Sequence, residues 1–146
     1  MDINIRQADK ADLADIIKLL DNNNLPTIDI PNSSIQLFIG SYNCSTIGVI
    51  GIEIYEKTGL LRSLAVQESF NKLKVGTKLI NKLFDHIKLN NIRDVYLLTE
   101  SAEDYFTRFE FEKVDRSIVP GVIMETREYK DICPNSAVVM HKNLIK

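Results

Sequence analysis

Residues 46–66 constrain the fold more than any other stretch of the chain. TIGVIGIEIYE at 46–56 is rich in β-branched residues, with Ile50, Ile52 and Ile54 on one face and Gly51, Glu53 and Tyr55 on the other. LLRSLAV at 60–66 is a second apolar run, and Thr58-Gly59 between the two is a tight-turn signal. A further strand over about 35–42 leads into them through Asn43-Cys44-Ser45, so three consecutive antiparallel strands are expected. Residues 67–74 are polar and carry no periodicity. From Val75 the period becomes helical, with Leu79, Ile80, Leu83, Phe84 and Ile87 on one face of a helix that ends near Asn90-Asn91.

The flanks complete the pattern. INIRQ at 3–7 alternates as a short strand, and Asp9 reads as the N-cap of a helix over 10–22, with Asp12 at its third position. An irregular stretch runs from Leu25-Pro26 to Pro31-Asn32. VYLLT at 95–99 reads as a buried strand, and 101–109 as a short helix capped by Ser101 with Glu103 and Asp104 in its first turn. A strand near 111–115, a helix near 121–131 and a strand at 136–142 after Pro134 close the chain. The class is α/β (α+β), a mixed, mostly antiparallel sheet of six to seven strands flanked by helices. With 146 residues, no linker and no repeat, the expectation is a single domain over 1–146.

Composition narrows the partners. The net charge of -2 from 18 basic and 20 acidic residues gives no general case for nucleic-acid binding. No apolar run approaches the ~20 residues that span a bilayer, and the first residues lack a basic-then-apolar signal pattern. Cys44 and Cys133 belong to no CxxC or Cys/His cluster, and His86 and His141 show no ligand spacing, so no metal site is expected. A cytoplasmic protein, monomeric or homodimeric, is the resulting expectation.

Two places carry chemistry. The first is the strand-loop-helix unit at 60–80, where a helix N-terminus with Gly76 and Thr77 in its first turn offers unpaired amides to a phosphate. Lys72, Lys74, Lys78 and Lys82 cluster there, read either as phosphate-facing charge or as the solvated face of an amphipathic helix. The second is Glu53, Tyr55 and Arg62, which a hairpin at Thr58-Gly59 would pair on one sheet face. A mid-strand Arg needs a partner. Its fork suits an acceptor carboxylate, with Glu53 holding the ammonium or taking its proton through water; the alternative is a structural Glu53–Arg62 pair on a solvated face.

The order of elements, LLRSLAV at 60–66, the loop into the helix at 75–90 and LLTESAEDYFTRFEFEKVDR resemble the GNAT superfamily of acetyl-CoA-dependent N-acetyltransferases along essentially the whole chain. LPT at 25–27, VIGIEIY at 49–55, YLLTESAEDYF at 96–106 and CPNSA at 133–137 are similar to the arsenic-resistance, or arsinothricin, N-acetyltransferase group within it. The resemblance implies that Leu64, Ala65 and Val66 expose backbone groups to the pantetheine arm. It maps the pyrophosphate loop, Arg/Gln-x-x-Gly-x-Gly/Ala, onto Asn71-Lys72-Leu73-Lys74-Val75-Gly76, where the last glycine alone survives and Lys74 stands for the first. The Tyr that protonates the departing thiolate maps onto Phe106, with Tyr105 beside it but about 100° away on a helix, and the Gly of a following Gly-Phe pair maps onto Glu110. Thr99 stands where relatives often carry Asn.

The implied function is transfer of acetyl from acetyl-CoA to the primary amine of a small amino-acid-like acceptor, arsinothricin- or phosphinothricin-like. Glu53, Arg62 and Tyr105 are the candidate catalytic residues. Leu64–Val66 and Asn71, Lys72, Leu73, Lys74, Val75, Gly76 and Thr77 are the candidate cofactor contacts. The alternatives are a catalytically weak CoA-binding module and a peptide or protein N-acetyltransferase.

Overall fold

The first helix follows from its cap. In the computed structural model, which describes residues 3–25, 27, 30, 35–126, 129 and 137–144 (71–73 without their side chains), Asp9 is extended ahead of a 3-10 turn at Lys10–Asp12. Asp9 Oδ1 accepts from the Ala11 amide and Asp12 Oδ2 from the Asp9 amide, both at 2.9 Å, in a reciprocal capping box. Helix α1 (Leu13–Asn22) then buries Ile16, Leu19 and Leu20. It closes where Asn24 turns left-handed at φ 58° and the Leu25 amide donates to the Leu20 carbonyl at 3.0 Å.

Seven strands follow the hydrogen-bonded order β1-β2-β3-β4-β5-β7-β6. They are β1 (Asn4–Gln7), β2 (Gln36–Tyr42), β3 (Ser45–Tyr55), β4 (Thr58–Val66), β5 (Asp94–Thr99), β6 (Glu112–Val114) and β7 (Val138–Asn143). Asn43 and Cys44, at φ 50° and 65°, make the turn between β2 and β3, whose twist suits a hairpin. The next turn departs from expectation: it falls at Glu56–Lys57, closed by Glu56 at φ 58°, and Thr58 and Gly59 already belong to β4. The pairing of Tyr55 with Arg62, counted from a turn at Thr58-Gly59, falls with that turn. The β4–β5 ladder is parallel, the others recorded are antiparallel, and it joins Thr58, Gly59 and Leu60 to Asp94, Val95 and Tyr96.

The chain packs as two compact units, Met1–Glu53 with Leu61–Asn90, and Ile54–Leu60 with Asn91–Lys146. In the first, Ile16, Leu20, Ile39, Val49 and Ala65 form one buried cluster. Helix α2 (Val75–Leu89) buries Leu79, Ile80, Leu83 and Ile87. It sits so close to β3 that a Cβ on Gly48 would stand 2.9 Å from Leu79 Cδ1 and 3.0 Å from Val75 Cγ1. That contact seats the first turn of α2, and glycine is what permits it.

In the second unit Leu60, Tyr96, Val119 and Val139 form a buried cluster with Ile123 of α4 (Gly121–Met124), and α3 (Glu103–Thr107) buries Phe106. Ser101 does not cap α3. Ala102 holds the cap position, and its amide donates to Thr99 Oγ1 at 3.0 Å. Helix α4 stops at Met124, where the Thr126 hydroxyl turns back onto the Ile123 carbonyl at 2.7 Å. The expected helix beyond Thr126 (Tyr129 apart), Pro26, Pro31-Asn32, Cys133, Pro134 and the CPNSA segment before Ala137 lie outside the described residues. No helix among the described residues is long and apolar enough to cross a membrane.

Candidate functional site

Strand β4 breaks its alternation where two polar residues meet. Ser63 adopts φ 62°, a left-handed conformation that a serine holds at a cost, in the middle of an otherwise extended strand. Arg62 Nη1 donates to Glu53 Oε2 at 3.0 Å, and Arg62 Nε donates to Ser63 Oγ at 3.3 Å. The Arg62 side chain is 0% exposed and that of Glu53 8%. The ion pair, one of the two readings of these residues, therefore forms, and it is buried rather than on a solvated face.

Beyond the kink, Leu64 and Val66 are half-buried and Ala65 is buried. The Gln67 amide donates to the Ile47 carbonyl at 2.7 Å and ends the strand. The polar loop, which shows no periodicity in sequence, forms a 3-10 turn at Glu68–Leu73. Lys74 follows at φ 57°, ψ 32° and serves as the N-cap of α2. Its side chain makes no capping hydrogen bond, and the first turn of α2 carries no acidic residue. The amides of Val75, Gly76 and Thr77 thus stand at the positive end of a 15-residue helix. Lys74, Lys78 and Lys82 are exposed at spacings of four, one helical stripe of positive charge. The side chains of Asn71, Lys72 and Leu73 lie outside the described atoms.

The second unit holds Tyr105. Its ring lies 5.4 Å from that of Phe106 and 5.3 Å from that of Phe109, with the Arg108 guanidinium 5.4 Å away. Phe106 is buried against Phe111 at 5.8 Å. Glu110 turns left-handed at φ 70°, and the Phe111 amide donates to the Phe106 carbonyl at 3.3 Å, the bond that closes a helix through a left-handed residue. The structure thus brings Glu53 and Arg62 into contact, gathers Leu64–Thr77 in the same unit, and puts Tyr105 and Thr99 in the other. Among the described residues no group of His, Cys, Asp and Glu could hold a metal ion. His86 Nε2 lies 2.7 Å from Gln36 Oε1 and His141 Nε2 2.7 Å from Asp94 Oδ1.

The acetyltransferase (GNAT) family profile matches residues 10–111. An uncharacterized N-acetyltransferase of Chlorobaculum tepidum is 27% identical over 89 residues, which span 60% of this chain and 57% of that relative. A GNAT-family acetyltransferase from Staphylococcus aureus superposes with a TM-score of 0.80 at 20% identity, over 99% of this chain and 100% of its own. N-acetylglutamate synthase from Neisseria gonorrhoeae, complexed with coenzyme A and N-acetyl-glutamate, superposes with a TM-score of 0.82 at 17% identity over 100% of this chain and 36% of the synthase. The family profile covers well over half of the sequence, and the chain belongs to the GNAT acetyltransferase family.

Proposed function

We propose that this chain, acting as a single N-acetyltransferase domain, transfers acetyl from acetyl-CoA to the primary amine of a small amino-acid-like acceptor. The observation that carries the reading is the run from Ser63 to Thr77. A kinked strand leads through a 3-10 turn into a helix whose N-terminus is uncapped by its N-cap side chain, free of acid in its first turn and flanked by exposed lysines. Such an end attracts a pyrophosphate through backbone donors and dipole together. Lys74 supports the reading further, because it keeps the left-handed backbone of the glycine it replaces.

In this reading the Leu64–Val66 backbone carries the pantetheine arm and polarises the thioester carbonyl. Asn71–Thr77 hold the pyrophosphate, with Lys72, Lys74 and Lys78 adding charge. The amine nitrogen attacks the carbonyl carbon, the carbon–sulfur bond breaks, and the thiolate takes a proton from water as it leaves. Backbone donors aimed at the developing oxyanion supply much of the acceleration. Glu53 is the candidate to hold the acceptor ammonium or to receive its proton through water. An arsinothricin- or phosphinothricin-like amino acid is the specific acceptor, supported by the short segments that resemble that group.

Acetyl-CoA consumption measured against a panel of amino acids, phosphinic and arsenic amino-acid analogues and short peptides tests the assignment. Turnover confined to the free amino acids and analogues is expected. Turnover confined to peptide N-termini overturns the acceptor, and CoA binding with no turnover on any amine reduces the chain to a binding module.

A further inference from the structure

We propose that Arg62 is a positioning residue, which bridges Glu53 on β3 and Ser63 on β4 to hold the left-handed kink that aims Leu64–Val66. The inference rests on the reading of Leu64–Val66 as the cofactor edge.

Three observations converge on it. The Arg62 side chain is fully covered, so its donors act on the protein itself. Nη1 reaches the neighbouring strand while Nε turns back onto the hydroxyl of the next residue, and a lysine has no second donor placed to do both. Ser63 holds φ 62°, a state that persists in a non-glycine residue only where its surroundings over-determine it.

The kink has a visible consequence for side-chain direction. Val49 and Glu53 share a face of β3 by the two-residue period, and Glu53 bonds Arg62 on that face. In an unbroken strand Ala65, three residues after Arg62, would point to the opposite face. Ala65 instead joins the buried cluster of Val49 and Ile39. One left-handed residue has exchanged the two faces of the strand, and with them the direction in which the backbone groups of Leu64–Val66 point. Arg62 is tied to both sides of that exchange.

The test compares Ser63→Ala with Ser63→Gly. Ser63→Ala removes the Oγ acceptor and leaves the Glu53 pair intact, whereas glycine adopts the left-handed backbone unaided. Ser63→Ala is expected to raise the Kd for CoA roughly three- to tenfold, the range for one lost hydrogen bond. It should also speed amide exchange at residues 64–66 in the CoA-free protein, while Ser63→Gly stays near the parent in both. Arg62→Lys should behave like Ser63→Ala, and Ser63→Gly in its background should restore protection at 64–66. Parental behaviour of Ser63→Ala, or equal impairment of the alanine and glycine variants, overturns the proposal. If Arg62→Lys fails to fold, the serine pair still decides. A parent that binds no CoA sinks the acetyltransferase reading, and the exchange measurement then judges the role of Arg62 by itself.

Discussion

Lys74 and Glu110 hold the same backbone conformation, left-handed at φ 57° and φ 70°, at the two positions that the resemblance to the family motif sets against glycine. Lys74 caps the helix that reads as the phosphate end, and Glu110 closes α3 through the Phe111 to Phe106 hydrogen bond. Each holds with a full side chain a backbone that glycine adopts freely, so each site carries a conformational cost that glycine would not.

Lys74→Gly is therefore expected to stabilise the protein by up to ~1 kcal/mol, the left-handed penalty less the greater freedom of glycine in the unfolded chain. A change of that size raises the melting temperature by about 2–4 °C in a chain of this length. Glu110→Gly should act in the same direction, since its ion pair with Lys142 is long, at 3.7 Å, and mostly exposed. Scanning calorimetry of the two variants checks both.

Removing charge at the same helix end should do the opposite to ligand affinity. Lys74→Ala with Lys78→Ala is expected to weaken CoA binding several-fold and to flatten its dependence on salt, because screening acts on those charges. The melting temperature without ligand should barely move. Isothermal titration at two ionic strengths distinguishes this outcome from parental binding, which would make the lysines an ordinary solvated face.

The Glu53–Arg62 pair sets a stability cycle. Arg62→Met leaves a buried carboxylate without its partner and should cost about 3–5 kcal/mol. The double variant Glu53→Met with Arg62→Met should cost clearly less, because no charge is stranded. Urea midpoints of the two singles and the double give the coupling directly.

Acid should act through Asp12. Two hydrogen bonds from Arg6, each 2.9 Å, and one from the Asp9 amide hold its pKa at about 2, below the ordinary 3.8. Its contribution is complete above that ordinary value and is lost as pH falls towards 2. In Arg6→Met the Asp12 carboxyl should titrate closer to its ordinary value, and the loss of stability across that window should shrink. Carboxyl titration by NMR, with urea midpoints at each pH, measures both.

Gly48 sets the seat of α2. Gly48→Ala places a methyl group 2.9 Å from Leu79 Cδ1, so overpacking should cost about 1–3 kcal/mol and weaken CoA binding as the helix end shifts.

The helices and strands were legible where periodicity and caps agreed. Asp9 and Asp12 announced α1, and Leu79 through Ile87 announced α2. Local backbone conformations were not legible, because no side-chain pattern encodes them. Glu56 at φ 58° moved a turn that Thr58-Gly59 seemed to own, and Ser63 kinked a strand read as straight. Within the site, the contact of Glu53 with Arg62 followed from the cost of an unpaired arginine. Its burial did not, since burial depends on layers that only the fold assembles.

Thermal melting with and without millimolar acetyl-CoA tests the central claim, that the run from Ser63 to Thr77 binds this cofactor. Binding the native state at about a hundredfold over Kd adds about 2.7 kcal/mol, which raises the melting temperature of a chain of this size by about 5–10 °C. That rise, reduced in Lys74→Ala with Lys78→Ala, is the expected result. A melt that does not move with acetyl-CoA contradicts the account.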